Sequence, residues 1–151
     1  MRKFVSAARK AIVVVVGAAA LGATLGALPA EAATDDWAPG SVEGPGYRTA
    51  TSSIYGSKLS MGIWWNGTDV SVNGSITDTA GDGRSAVSEI TYEVYYDGAW
   101  HNHSRYFGKA SGNGVRDVLL SQRGRYPIRK LYARACVSDN GTVTTCDPSW
   151  R

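Results

Sequence analysis

The sequence predicts an all-β protein: a single antiparallel β-sandwich of immunoglobulin-like type, with a signal peptide and a flexible extension ahead of it. Three observations point there. Seven segments rich in β-branched and aromatic residues follow one another from Lys58 onward. Turn chemistry separates them, at Asn66-Gly67, Gly81-Asp82-Gly83, Asp97-Gly98, Gly112-Asn113-Gly114 and Asn140-Gly141. After the leader, no window sustains the 3.6-residue apolar period of a helix.

The leader comes first. Arg2, Lys3, Arg9 and Lys10 form a positive start, Ala11 to Leu28 is uncharged, and Ala30-Glu31-Ala32 places small residues at the two positions read by a signal peptidase. The core is about long enough for a membrane anchor, at roughly 17–20 residues. Its Ala/Gly-rich composition and the A-x-A site favour removal, so residues 1–33 are expected to be cleaved and the protein exported. Removal changes the charge balance. The whole chain has 16 Lys+Arg against 13 Asp+Glu, but four bases and only Glu31 among the acids lie in the leader. The remainder is neutral, so neither nucleic-acid binding nor attachment to an anionic membrane has compositional support. Acids concentrate before Gly98 and bases after it, which pairs acidic with basic strands in one sheet or gives the surface two charged faces.

Residues 34–57 show no periodicity and carry Gly40, Gly44, Gly46, Gly56, Pro39 and Pro45 with scattered aromatics. They read as a flexible strap. The domain proper is expected over 58–151, with strands at Lys58–Trp65, Thr68–Asp78, Val87–Tyr96, Ala99–Phe107, Val115–Gln122, Ile128–Val137 and Thr142–Cys146. Ile90, Tyr92, Val94 and Tyr96 alternate with Thr91, Glu93 and Tyr95, giving one buried and one wetter face.

Cys136 and Cys146 are the only cysteines and read as a disulfide in an exported chain. Their spacing carries a register argument. A plain two-residue turn at Asn140-Gly141 sets Cys136 opposite Thr145, which puts the two sulfurs on opposite faces. A bond therefore requires a three-residue loop, a bulge or a splayed hairpin.

Catalytic signatures are missing. There is no G-x-S-x-G elbow and no H-E-x-x-H. His101 and His103 share a strand face suited to a metal, but only Asp97 lies near them in sequence. Asp78-x-x-x-Asp82-Gly83 reads as turn chemistry rather than a calcium loop. Glu89 and Glu93 stand roughly 13 Å apart on one strand face at 3.3 Å per residue, which suits ion pairs better than glycoside hydrolysis. No enzyme activity, metal or cofactor is expected.

Aromatic residues remain, five Trp and eight Tyr. Trp64 and Trp65 must point to opposite faces. Exposed Trp and Tyr suit sugar stacking or a protein hot spot, and the residues expected at a partner are Trp37, Pro39, Tyr47, Tyr55, Trp65, Trp100 and Tyr106.

An aromatic/Gly/Pro lead-in, a compact β domain and one late disulfide behind such a leader resemble the adaptor subunit of Streptomyces umbrella toxin particles. The resemblance implies a secreted, non-enzymatic protein that links a lectin subunit to the repeats of a toxin stalk. It also implies that Trp37-Ala38-Pro39-Gly40 through Tyr47 form the partner-binding strap, and that the charged sandwich faces meet the stalk. Two other readings stand beside it. One is a carbohydrate-binding module with Trp65, Trp100 or Tyr106 in one row. The other is a small hydrolase or protease inhibitor.

Overall fold

The computed structural model describes residues 36–151. The leader, with the start of the strap at Thr34 and Asp35, lies outside them. Nine strands run in order: β1 Trp37–Pro39, β2 Gly46–Ile54, β3 Ser57–Asn66, β4 Asp69–Asp78, β5 Ser85–Tyr96, β6 Ala99–Ser111, β7 Arg116–Gly124, β8 Ile128–Asp139 and β9 Thr142–Cys146. They form two antiparallel sheets, ordered β1-β7-β4-β3-β2 and β6-β5-β8-β9. The chain crosses between sheets after β4, β6 and β7. That leaves β4 beside β7 in one layer and β5 beside β8 in the other, the Greek-key connectivity of an immunoglobulin-like sandwich. Among the described residues no helix is long and apolar enough to cross a membrane.

Alternation supplies the core. Leu59, Met61 and Ile63 of β3 with Val72 and Ile76 of β4 face Ile90, Tyr92 and Val94 of β5 and Ala133 and Ala135 of β8, all essentially removed from water. At roughly 1.5–3 kcal/mol for each large apolar side chain, this layer is the main favourable term. Polar links sit between the layers too. The Ser52 hydroxyl donates to Asp147 Oδ2 at 2.7 Å and accepts from the Ala135 N–H at 2.8 Å, tying β2 to β8 and to the C-terminal segment.

The expectation of a flexible strap is corrected over residues 36–57. β2 pairs with β3 along its whole length, from Gly46 opposite Trp65 to Ile54 opposite Ser57. β1 pairs with the end of β7. The folded unit therefore takes in residues 36–57 as well as 58–151. The physical reason is the size of the inward residues. Ala50 and Ser52 are the fully buried residues of β2, one small and one polar, so the segment reads as polar although it alternates buried and exposed.

The hairpins follow their turn residues. Asp97 and Gly98 take φ of 50° and 79°, Asn140 and Gly141 47° and 85°, as a two-residue primed turn requires. At the β3–β4 hairpin Asn66 faces Asp69, so the turn is Gly67-Thr68. Cys136 and Cys146 are bonded at 2.03 Å. The two-residue turn is kept, and the pairing slips by one between Val137–Thr145 and Ser138–Val143. Thr144 is the extra residue, and its hydroxyl donates back to the Val137 carbonyl at 3.2 Å. A bulge, of the three expected irregularities, brings both sulfurs to one face.

Candidate functional site

The two outer faces of the sandwich differ in what their side chains do for one another. On the four-stranded sheet, acids of β5 lie opposite bases of β8. Glu93 pairs with Arg129 at 2.5 Å and Lys130 at 2.7 Å, and Glu89 with Arg134 at 2.8 Å. The two cations beside Glu93, Lys130 foremost, hold its carboxyl below the usual carboxylate range. The same arginines cap the aromatics. The Arg129 guanidinium sits 4.1 Å over the Trp100 ring and Arg134 4.1 Å over Trp150. Tyr95 covers Trp100 further, at 5.2 Å between centroids. On this face the acids of β5 and both tryptophans are already engaged, while Tyr106 and Tyr132 stay exposed.

The outer face of the five-stranded sheet is built differently. Its middle is formed by Ser60 and Gly62 of β3 and by Asn73, Gly74 and Ser75 of β4, none of which carries a large side chain. Walls stand on either side: Tyr47 and Trp64 at one margin, Val118 and Leu120 of β7 at the other. The result is a groove of about 480 Å³. A smaller depression of about 350 Å³ continues it past Trp64, bounded by the 41–44 loop, Ser71 and Asn73. Two glycines are required here. A Cβ on Gly74 would lie 2.2 Å from the Ser60 carbonyl, and one on Gly62 would lie 2.2 Å from the Trp64 ring. The indole of Trp64 thus lies flat over Gly62 and meets Tyr47 at 4.8 Å between centroids, tilted 40°.

The rim of this groove is exposed and apolar. Tyr47 is 54%, Val118 61% and Leu120 76% accessible. Arg116 is the single charged residue lining it, and no His, Cys, Asp or Glu does. A partly apolar surface of this kind, with aromatic and aliphatic walls and a single charge at Arg116, has the composition of a docking patch.

The residues singled out in the sequence do not form one patch. Trp37 is 3% exposed and lies edge-on between Tyr92 and Phe107, at 5.4 and 5.5 Å, so it is a core residue and not a partner anchor. Trp65 faces inward and packs against the core. It therefore shares no row with Trp100 and Tyr106, which both stand on the outer face of β6. Tyr47 is on the groove, Tyr55 is 77% exposed at the β2–β3 turn, and Pro39 is exposed at the end of β1. The groove's other members, Trp64, Asn73, Val118 and Leu120, were not singled out. The Trp64-Trp65 pair announced one outward ring, and Arg116-Asp117-Val118-Leu119-Leu120 held one apolar residue too many for a single buried face.

Three further clusters resolve into structural roles. His103 Nδ1–H donates to Asp36 Oδ2 at 2.5 Å, Tyr92 donates to the same oxygen at 2.9 Å, and Tyr96 lies 3.4 Å from His103 Nε2. Burial, with the Asp36 carboxylate beside it, drives the Tyr92 hydroxyl far above the usual tyrosine pKa. This chain has the order of a proton relay. It ends, however, at Tyr96, whose ring is stacked on His101 at 4.0 Å, and its effect is to fix the start of β1. No third ligand joins the two histidines among the described residues. Asp78 accepts from the N–H groups of Ala80 and Gly112, and Asp82 is held by Arg84, so both acids act as turn fasteners. Glu89 Oε2 lies 3.6 and 3.7 Å from the two bridged sulfurs. A disulfide has no proton to donate and no thiolate to bind a metal, so this is a packing contact.

Comparison of the chain with protein families, with curated proteins and with solved structures finds no match.

Proposed function

We propose that this protein is a secreted, non-enzymatic adaptor that docks another secreted protein on the outer face of its five-stranded sheet. One observation carries the reading: that face holds a groove rimmed by exposed Tyr47, Val118 and Leu120 with Arg116 as its single charged lining residue, while on the opposite face Glu89, Glu93, Trp100 and Trp150 already have partners. The disulfide is in keeping with an oxidising compartment, and the leader supplies the route. The resemblance to umbrella-particle adaptors supplies the partner class, a lectin subunit and stalk repeats. With residues 36–57 folded into the sheet, the contact expected of a strap falls to the groove instead.

The test is co-purification of the tagged protein from its producer's culture supernatant, beside a Val118→Glu/Leu120→Glu variant. The adaptor reading expects a lectin subunit and stalk proteins with the native chain and the loss of at least one with the variant, whose melting temperature stays unchanged. The same companions with both proteins, or none with either, would remove the groove from consideration. A second reading has its own support. The Tyr47–Trp64 pair beside Asn73 and the Ser60 and Ser75 hydroxyls is a composition that also suits a sugar ring. It expects retention on polysaccharide that Trp64→Ala abolishes.

A further inference from the structure

A second cleft opens at the other side of the sandwich, where β2 and β3 face the part of β8 that β9 leaves uncovered. Its volume is about 310 Å³, within the lower range of small-molecule sites. The floor is apolar: Ile63, Val70, Ile128 and Leu131 are almost fully buried, with half-buried Trp65 beside them. The mouth is cationic. Arg48, Arg129 and Lys130 line it and no acid does. Glu93 reaches Arg129 and Lys130 from the outer face, which leaves a local surplus of positive charge.

Arg48 is the informative residue. It pairs with Ile63 across the strands and so points inward from an edge strand. Its Nη2–H donates to the Leu131 carbonyl at 2.5 Å, and the guanidinium lies 5.6 Å from the Tyr132 ring centre. Among the described residues no carboxylate comes within ion-pair distance of it. A half-buried guanidinium without an anion is an unusual expense for a fold unless an anion arrives from outside, and the planar fork matches a carboxylate in particular.

We infer that this cleft binds a carboxylate carried on an apolar body, with the anion at Arg48 and Lys130 and the apolar part against Trp65 and Leu131. Two sources share that chemistry: a free organic acid, and the C-terminal carboxylate of a polypeptide ending in a large apolar residue.

The experiment is calorimetric titration of the purified, disulfide-intact protein with sodium decanoate below its micelle concentration and with decanol as the uncharged counterpart. A parallel arm uses a short peptide ending in leucine as the free acid and as the amide. At least one acid should bind saturably at one site, at least tenfold more tightly than its uncharged counterpart, and the tighter acid identifies the source. Arg48→Ala should weaken that binding about ten- to a hundredfold, the size of a lost charge-assisted hydrogen bond. Should Arg48→Ala fail to fold, Arg48→Lys and Lys130→Ala take its place, each expected to weaken the acid and spare the uncharged probe. Absence of acid binding, equal binding of acid and uncharged probe, or binding unmoved by Arg48 substitution would overturn the inference. Arg48 would then be only an inward charge that keeps the β2 edge from pairing with another chain.

Discussion

Trp37→Ala separates a core residue from a partner anchor. The indole is 3% exposed and makes edge-to-face contacts with Tyr92 and Phe107 at 5.4 and 5.5 Å. A buried tryptophan removes roughly 200 Å² from water, worth about 5 kcal/mol at 25 cal/mol per Å². The denatured chain already buries part of that surface, which lowers the figure by roughly 10–40%. Two aromatic contacts add about 0.5–1.5 kcal/mol each. Against this, the Trp37 indole N–H has no acceptor among the described residues, and deleting an unpaired donor recovers about 1–3 kcal/mol. The balance is a loss of about 3–5 kcal/mol, the range seen for large aromatic-to-alanine changes. At about 4 °C per kcal/mol for a domain of this size, the melting temperature should fall by about 12–20 °C. Circular dichroism melts of the native chain, Trp37→Ala and Tyr47→Ala measure it, with Tyr47→Ala expected to lose only about 0.5–1.5 kcal/mol, the size of its contact with Trp64. A Trp37→Ala melt within 2 °C of native would mean, at roughly 4 °C per kcal/mol, that the β1 segment is not anchored as described.

Other perturbations test other joints. Replacing Cys136 and Cys146 together with serine opens a short loop, and urea unfolding should register a loss of about 2–3 kcal/mol. Ser52→Ala strips Asp147 of a donor and the Ala135 N–H of its acceptor, both in the interior, and the same assay should show a loss of about 2–3 kcal/mol. Acid should weaken the fold through Asp147 and Glu93. Their folded pKa values lie below the unfolded ones, Asp147 through the Ser149 N–H and the Ser52 hydroxyl, Glu93 through Lys130 and Arg129. Their stabilisation is therefore present above the unfolded values near 4 and is lost as pH falls through the lower folded values. The urea midpoint should drop between about pH 5 and pH 2, and Glu93→Gln should flatten part of that slope.

β3 to β9 were legible in the sequence because each combines alternation with a turn of the right chemistry. The cysteine register was legible as well, since two side chains on one face fix the parity of the pairing, and only the choice of a bulge at Thr144 was open. β2 was not. Its inward residues are Ala50 and Ser52, so hydrophobic alternation is faint, and the signal that would have found it is the Tyr55-Gly56 turn leading into Ser57. β1 is three residues long, below the length at which any periodicity exists, and Trp37 is placed by tertiary contacts with Tyr92 and Phe107. The groove was out of reach for a related reason. It is defined by what Gly62, Gly74, Ser60 and Ser75 lack, and by strands brought together from distant parts of the chain.

The contrast between the two outer faces bears on where a partner is bound. On the four-stranded sheet Trp100 already lies under Arg129 and Trp150 under Arg134. A partner that stacked on those rings would first displace a guanidinium that also serves Glu93 or Glu89, losing contacts of about 1 kcal/mol or more each. On the five-stranded sheet nothing has to be displaced. Trp64 is seated on Gly62, Tyr47 is braced by Thr49 through a 2.9 Å hydrogen bond, and Val118 and Leu120 already stand in water. Docking there begins with apolar walls to bury and no existing aromatic contact to break, so contact area converts into affinity with the smaller opposing cost. The resemblance assigned partner contact to a strap and to the charged faces. The physical chemistry of the folded chain favours the face whose exposed apolar rim, Tyr47, Val118 and Leu120, is not yet covered.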